Sequence, residues 1–136
     1  MSLLDEIKKH EGYRKSVYKC TEGYDTIGYG FAIKDLELTE DVCDIILREK
    51  LDKLNKILNE RFCWYPTSPL AIQDVVINMC YQLGVSGFSK FKKTIYYLET
   101  EQYEEASSEM LDSLWAKQTP NRAKELSNIV ESVVKN

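Results

Sequence analysis

His10-Glu11-Gly12, followed by Lys19-Cys20-Thr21-Glu22-Gly23-Tyr24-Asp25-Thr26-Ile27-Gly28-Tyr29-Gly30, is the stretch whose reading decides the fold of this chain. Ahead of it, Ser2-Leu3-Leu4-Asp5 reads as a capping box that opens a helix. Leu3, Leu4 and Ile7 give that helix an apolar side, and Gly12 is a natural C-terminal stop. Glu11 therefore falls in the last helical turn, where the macrodipole disfavours an anion unless a cation compensates. Past Tyr13 the pattern changes. Val17-Tyr18-Lys19-Cys20 and Tyr24-Asp25-Thr26-Ile27 are rich in β-branched and aromatic residues, with Thr21-Glu22-Gly23 as the turn between them. Gly28 and Gly30 then punctuate a third short strand running to about residue 33. A small antiparallel sheet is expected over 13–38.

From Thr39 onward the pattern is helical. Val42, Ile45, Ile46, Leu51, Leu54, Ile57 and Leu58 recur at three- and four-residue intervals, and no glycine or proline interrupts 39–62. One helix of about twenty residues, roughly 30 Å long, is predicted. Pro66, Ser68 and Pro69 mark a break. Residues 70–83 are apolar on nearly all sides, which predicts a central buried helix ended by Gly84 and Gly87. Further helices are expected near 89–99, 102–115, 120–126 and 127–135. Thr119-Pro120 reads as a helix start with threonine as cap and proline at the first helical position. The expected class is α+β, one mainly helical domain of two lobes: a β lobe over 13–38, a connecting helix over 39–60, and a helical lobe of 61–136 with 1–12.

Composition narrows the partners. A chain of 136 residues, 43% hydrophobic and 29% charged, has the balance of a folded soluble domain. No apolar run approaches the ~18 residues needed to cross a membrane. The formal charge of −4 argues against a broad electrostatic grip on nucleic acid and gives no general attraction to a polyanionic wall. Lys90, Lys92 and Lys93 cluster, as do Arg122 and Lys124, and both groups read as solvated helix faces. Cys20, Cys43, Cys63 and Cys80 have no zinc-site spacing and only His10 to help them, so no metal is expected. Their parity allows a disulfide framework, but the acids of the first eleven residues are unlike a signal peptide, which favours reduced thiols. Cys43 and Cys80 lie in apolar helical patterns and are expected in the core.

Hydrolysis of a glycosidic bond needs a proton donor for the leaving oxygen and a means of handling water and charge on the other face of the sugar. Glu11, at a helix end with a sheet following at once, suits the first role. Three separated blocks carry a resemblance to a known family. The first is Glu11, eight residues, Cys20, five residues, Thr26, then Ile27-Gly28-Tyr29-Gly30. The second is Val76-Ile77-Asn78-Met79-Cys80-Tyr81-Gln82-Leu83-Gly84, with Gly87-Phe88-Ser89 after it. The third is Trp115-Ala116-Lys117-Gln118-Thr119-Pro120-Asn121-Arg122-Ala123. In this order they resemble the T-even phage lysozymes across most of the chain.

The resemblance implies a two-lobe lysozyme fold and an endolysin that cleaves the β-1,4 bond between N-acetylmuramic acid and N-acetylglucosamine in bacterial peptidoglycan. It implies inversion at the sugar carbon, no cofactor and a monomer. It also implies residence in the host cytoplasm until a holin opens the membrane. Glu11 matches the general acid, Thr26 the residue that positions water, and Arg122 the arginine set against the acid. Asn78, Gln82, Trp115, Phe88 and Asn121 match residues that line or support the second lobe, where plain packing is the alternative reading.

The chain departs from the pattern in four ways. Cys20 stands where aspartate is usual. A free thiol has a pKa of ~8.5 and is mostly neutral near pH 7, and an ionised Glu11 close by would push it higher. Asp25 is near in sequence, but strand alternation points it away from the face of Thr26. Phe31 stands where relatives carry histidine, and 34–38 is shorter than in the pattern, which implies a shallower cleft. The charge balance is acidic where many relatives are basic. Two other classes follow from Cys20: a peptidoglycan-binding module that has lost catalysis, and a thiol hydrolase built on Cys20 with His10.

Overall fold

The computed structural model describes residues 2–133. The chain divides into two compact units, Met1–Asp44 and Ile45–Asn136. In the first, α1 spans Leu3–Glu11. The Ser2 hydroxyl accepts the Asp5 N–H at 3.1 Å and donates to the Asp5 carboxylate at 2.9 Å, so the expected cap is present. Gly12, at φ 73°, ends the helix and its N–H reaches the Lys8 carbonyl. Strands β1 (Arg14–Lys19), β2 (Asp25–Gly28) and β3 (Phe31–Ala32) form an antiparallel sheet in that order. The Cys20 N–H bonds the Tyr24 carbonyl at 3.0 Å, and the Gly23 N–H bonds the Cys20 carbonyl at 2.9 Å, closing the β1–β2 turn. Opposite each other, Lys19 and Asp25 pair at 2.6 Å on the exposed side. Asp25 thus points away from buried Thr26, as strand alternation requires.

Helix α2 (Glu40–Arg61) starts where Thr39 accepts the Val42 N–H at 3.3 Å. Its only buried side chain is Leu58, and everything from Glu40 to Lys50 is exposed. Cys43 is therefore on the surface, not in the core: an apolar repeat is buried only where another element covers it, and the core meets α2 further along. In the second unit, Tyr65 is fully buried and its hydroxyl donates to Asn55 Oδ1 at 2.6 Å, tying the loop after α2 back to the helix. Burial first, then the charge of Asp74, pushes the Tyr65 phenol up to about 12.

Helix α3 (Leu70–Ser89) is the buried helix that its apolar run predicts, with Ile72, Val75, Val76, Met79, Cys80 and Phe88 inside. Burial pushes the Cys80 thiol up to about 12. At Gly84 the backbone leaves helical geometry (φ 75°, ψ 160°), then resumes it to Ser89. The expected stop is thus a kink. Helices α4 (Lys92–Glu99), α5 (Tyr103–Leu111), α6 (Leu114–Gln118) and α7 (Pro120–Ser132) follow. Helix α5 packs on α4 and α7, and α7 also packs on α3 and α6.

The helix expected over 102–115 is two. Ser113 interrupts it, accepting the Ala116 N–H at 3.1 Å to cap α6 while donating to the Met110 carbonyl at 2.7 Å. Conversely, 120–126 and 127–135 are one helix to Ser132, because Leu126, Ser127 and Val130 continue one buried face. Residues 134–136 lie outside the described residues. Thr119 stands at the N-cap with Pro120 behind it, but its hydroxyl donates to the Trp115 carbonyl at 2.9 Å and does not cap α7.

Phe88 has no exposed surface and meets Phe62 edge-on at 5.9 Å. Phe88→Ala should cost about 3–5 kcal/mol of unfolding free energy, the usual loss for emptying a core aromatic site, read by urea denaturation.

Candidate active site

Glu11 is the last residue of α1, and its carboxylate is exposed. It rests against Gly30, between β2 and β3. Gly30 has φ +75°, and a Cβ there would collide with Glu11 Oε2 and come within 3.1 Å of Cδ. Two constraints therefore require glycine: the left-handed backbone and the space the carboxylate occupies. Tyr29, next to it, lies between Tyr13 (ring centroids 5.7 Å) and Phe31 (6.3 Å). Lys8, one turn before Glu11 on α1, sits 5.5 Å from the Tyr29 ring. The sequence reading used Gly30 only as part of a motif. Its contact with Glu11 and the Lys8–Tyr29 contact emerge from the fold.

Thr26 is 3% exposed, and its hydroxyl donates to the Tyr24 carbonyl at 2.9 Å. Cys20 is half-buried at the start of the hairpin turn. Its thiol is held below the ordinary range, first by the Tyr24 backbone N–H, then by that of Glu22. Partial desolvation and the Glu22 carboxylate oppose this. The expectation of a thiol pushed upward is thus reversed. Turn amides aimed at sulfur favour the thiolate, and the acid acting against it is Glu22, not Glu11. His10 is not among the groups that act on the thiol, so nothing in the site supports a Cys20–His10 couple.

The other predicted residues belong to the second unit. Arg122, on α7, donates from Nε to Asn78 Oδ1 at 2.8 Å and from Nη2 to the Asn78 carbonyl at 3.0 Å. Both acceptors are neutral, so the guanidinium is fixed in place without its charge being cancelled. Trp115, 4% exposed, donates its indole N–H to Gln82 Oε1 at 2.9 Å and meets Phe91 edge-on at 6.0 Å. Phe88 is core and can act only as support. Asn121 is exposed in the first turn of α7. The site residues thus come together as Glu11 with Gly30, Cys20 with Thr26, Asn78 with Arg122, and Gln82 with Trp115. Among the described residues no group of three His, Cys, Asp or Glu could hold a metal ion.

Two outcomes follow. Alkylation of Cys20 by iodoacetamide, followed against pH by peptide mass spectrometry, should rise at lower pH than in the unfolded chain, because the turn amides favour deprotonation. Gly30→Ala should lose about 1–2 kcal/mol from left-handed strain alone, and it should also displace the Glu11 carboxylate. Chemical denaturation reads the first effect, and a crystal structure of the variant reads the second.

The family described as Phage lysozyme matches residues 8–131. The chain is 27% identical to a Dictyostelium discoideum protein called Probable T4-type lysozyme 1, over 96% of this chain and 94% of that one. It is 28% identical to the Pre-baseplate central spike protein Gp5 of Enterobacteria phage T4, over 96% of this chain but only 28% of the spike protein. To an Endolysin of Acyrthosiphon pisum secondary endosymbiont phage 1 it is 27% identical, over 85% of this chain and 77% of that one. Matched through both units and with the α+β lysozyme fold, this chain belongs to the phage lysozyme family.

Proposed function

We propose that this protein is a muramidase that hydrolyses the β-1,4 bond between N-acetylmuramic acid and N-acetylglucosamine in peptidoglycan, with inversion. The observation that carries the reading is Glu11 against Gly30, a carboxyl at a helix end seated where only a residue without Cβ leaves room for it. In this reading Glu11 gives its proton to the glycosidic oxygen as the C1–O bond breaks. Water held from the Thr26 and Cys20 side forms the new C1–O bond. Its surplus proton passes to solvent water on that side, and Glu11 recovers a proton from solvent. Thr26 has one hydroxyl proton, now given to the Tyr24 carbonyl, so its oxygen is free to accept from water. Cys20 is proposed as a weak polar partner for that water, at the place where most glycosidases carry a second carboxylate.

Arg122, fixed by Asn78, is the proposed cation of the site. Gln82 and Trp115 are proposed as its support, and Asn121 as a surface contact to substrate. The lobes over 13–38, 39–60 and 61–136 with 1–12 belong to the same proposal. So does the biological setting, host lysis by an endolysin released through a holin. Among the described residues no helix is long and apolar enough to cross a membrane.

Glu11→Gln keeps the shape and removes the proton. It should cut the lysis of purified walls by about a hundredfold or more, with unfolding unchanged, and wild type should release the inverted anomer by proton NMR. Near-normal lysis by the variant would sink the reading. Wild type that pellets with walls without clearing them would establish the binding module, and a retained anomer would make Cys20 a covalent nucleophile.

A further inference from the structure

Glu11 is carried by a helix with little to hold it. Helix α1 has 9 residues and buries none of them, and a helix that short is marginal by itself. The ion pair described in this unit joins Lys19 to Asp25 and involves no residue of α1. Gly30 leaves space for the Glu11 carboxylate, but an absent side chain attracts nothing. The end of α1 therefore needs another contact to fix it against the β2–β3 turn.

Chain from both sides of Glu11 converges on the half-buried ring of Tyr29. Three residues before the acid, the Lys8 ammonium lies 5.5 Å from the ring centroid, within cation–π range. Two residues after the acid, the Tyr13 ring meets Tyr29 at 5.7 Å, tilted by 50°. Phe31 braces Tyr29 edge-on at 6.3 Å. Phe31 in turn lies 2.8 Å from where a Cβ at Gly28 would stand, so the bare backbone there makes room for the brace. The residue that follows Tyr29 is Gly30, against which the carboxylate rests. One ring thus meets the chain before and after the acid, and its neighbour accommodates the acid itself. All three contacts are made by the ring, and none uses the hydroxyl.

We propose that Tyr29 is a positioning residue for Glu11: its ring clamps the end of α1 to the sheet through Lys8 and Tyr13 and so fixes the carboxyl against Gly30. The proposal rests on the reading of Glu11 as general acid. Misplacing a reacting group by about 1 Å can cost about a hundredfold in rate, so contacts that fix the acid act on turnover, not on affinity. The clamp lies wholly within the first unit.

The test uses the full-length chain. Initial rates of wall lysis against wall concentration separate kcat from KM, and amide NMR relaxation reads backbone order without needing activity. Tyr29→Leu stays apolar but loses the ring. Its kcat should fall about tenfold with KM nearly unchanged, and order should drop at residues 10–12 while β1 and β2 keep theirs. Tyr29→Phe keeps the ring and should restore both rate and order. Lys8→Met and Tyr13→Leu, at exposed positions, should each lower kcat in the wild-type background and add nothing to Tyr29→Leu, because the ring they meet is gone. If Tyr29→Leu does not fold, Lys8→Met combined with Tyr13→Leu decides in its place, and unchanged kcat and order in that pair would overturn the clamp. So would a normal kcat in Tyr29→Leu, a lost kcat with order at 10–12 intact, or a raised KM alone, which would make the ring a sugar contact. Normal lysis by Glu11→Gln defeats the general-acid reading instead. The clamp is then judged by order alone, which must persist at 10–12 in Glu11→Gln and fall in Tyr29→Leu.

Discussion

The Glu11 carboxylate rests where residue 30 has no side chain, and that is the constraint on which the candidate site depends. A Cβ at Gly30 would occupy the position of a carboxylate oxygen, and the left-handed backbone there disfavours any other residue. The end of α1 and the turn between β2 and β3 are thereby tied together. The short connection from Gly12 to Arg14 and the antiparallel β1–β2 pairing bring the two segments within reach. The geometry of the candidate site in this unit is thus set by backbone shape more than by side-chain packing: of its described side chains only Thr26 is buried.

The second unit is built on the opposite principle. Its core is a continuous apolar cluster around α3, and polar side chains enter it in matched pairs. Trp115 with Gln82 satisfies an indole N–H that would otherwise be buried unpaired, and Tyr65 with Asn55 does the same for a phenol. Arg122 with Asn78 differs, because it leaves a full charge in place. An arginine held by neutral partners is pre-positioned for an anionic or ionisable group, at little further entropic cost.

Cys20 shows how a turn acts on the residue it carries. A free thiol is a poor anion in water near neutral pH. In this hairpin the amides of Tyr24 and Glu22 act together on sulfur and shift its titration downward. The chemistry available at position 20 is thus decided by the turn as much as by the residue.

The elements were largely legible from residue order, because their signals are local. Ser2 with Asp5, Gly12, the Thr21-Glu22-Gly23 turn, the uninterrupted run after Thr39 and the apolar stretch from Leu70 each act within a few residues of themselves. The same holds for the spacing of Glu11, Cys20 and Thr26, which carries the family resemblance. What local signals could not decide was which competing partner each group would find. Ser113 splits a helix because the Ala116 N–H needs an acceptor, Thr119 gives its proton to Trp115, and Cys43 stays exposed because nothing covers its face of α2. The Cys20 thiol depends on amides across a turn, and Arg122 on an asparagine forty-four positions away. Sequence by itself determined the elements and the identity of the reactive groups, because propensity and spacing are properties of neighbours in the chain. Only the tertiary structure decided their partners and their exposure, because those depend on electrostatics and packing between groups distant in sequence.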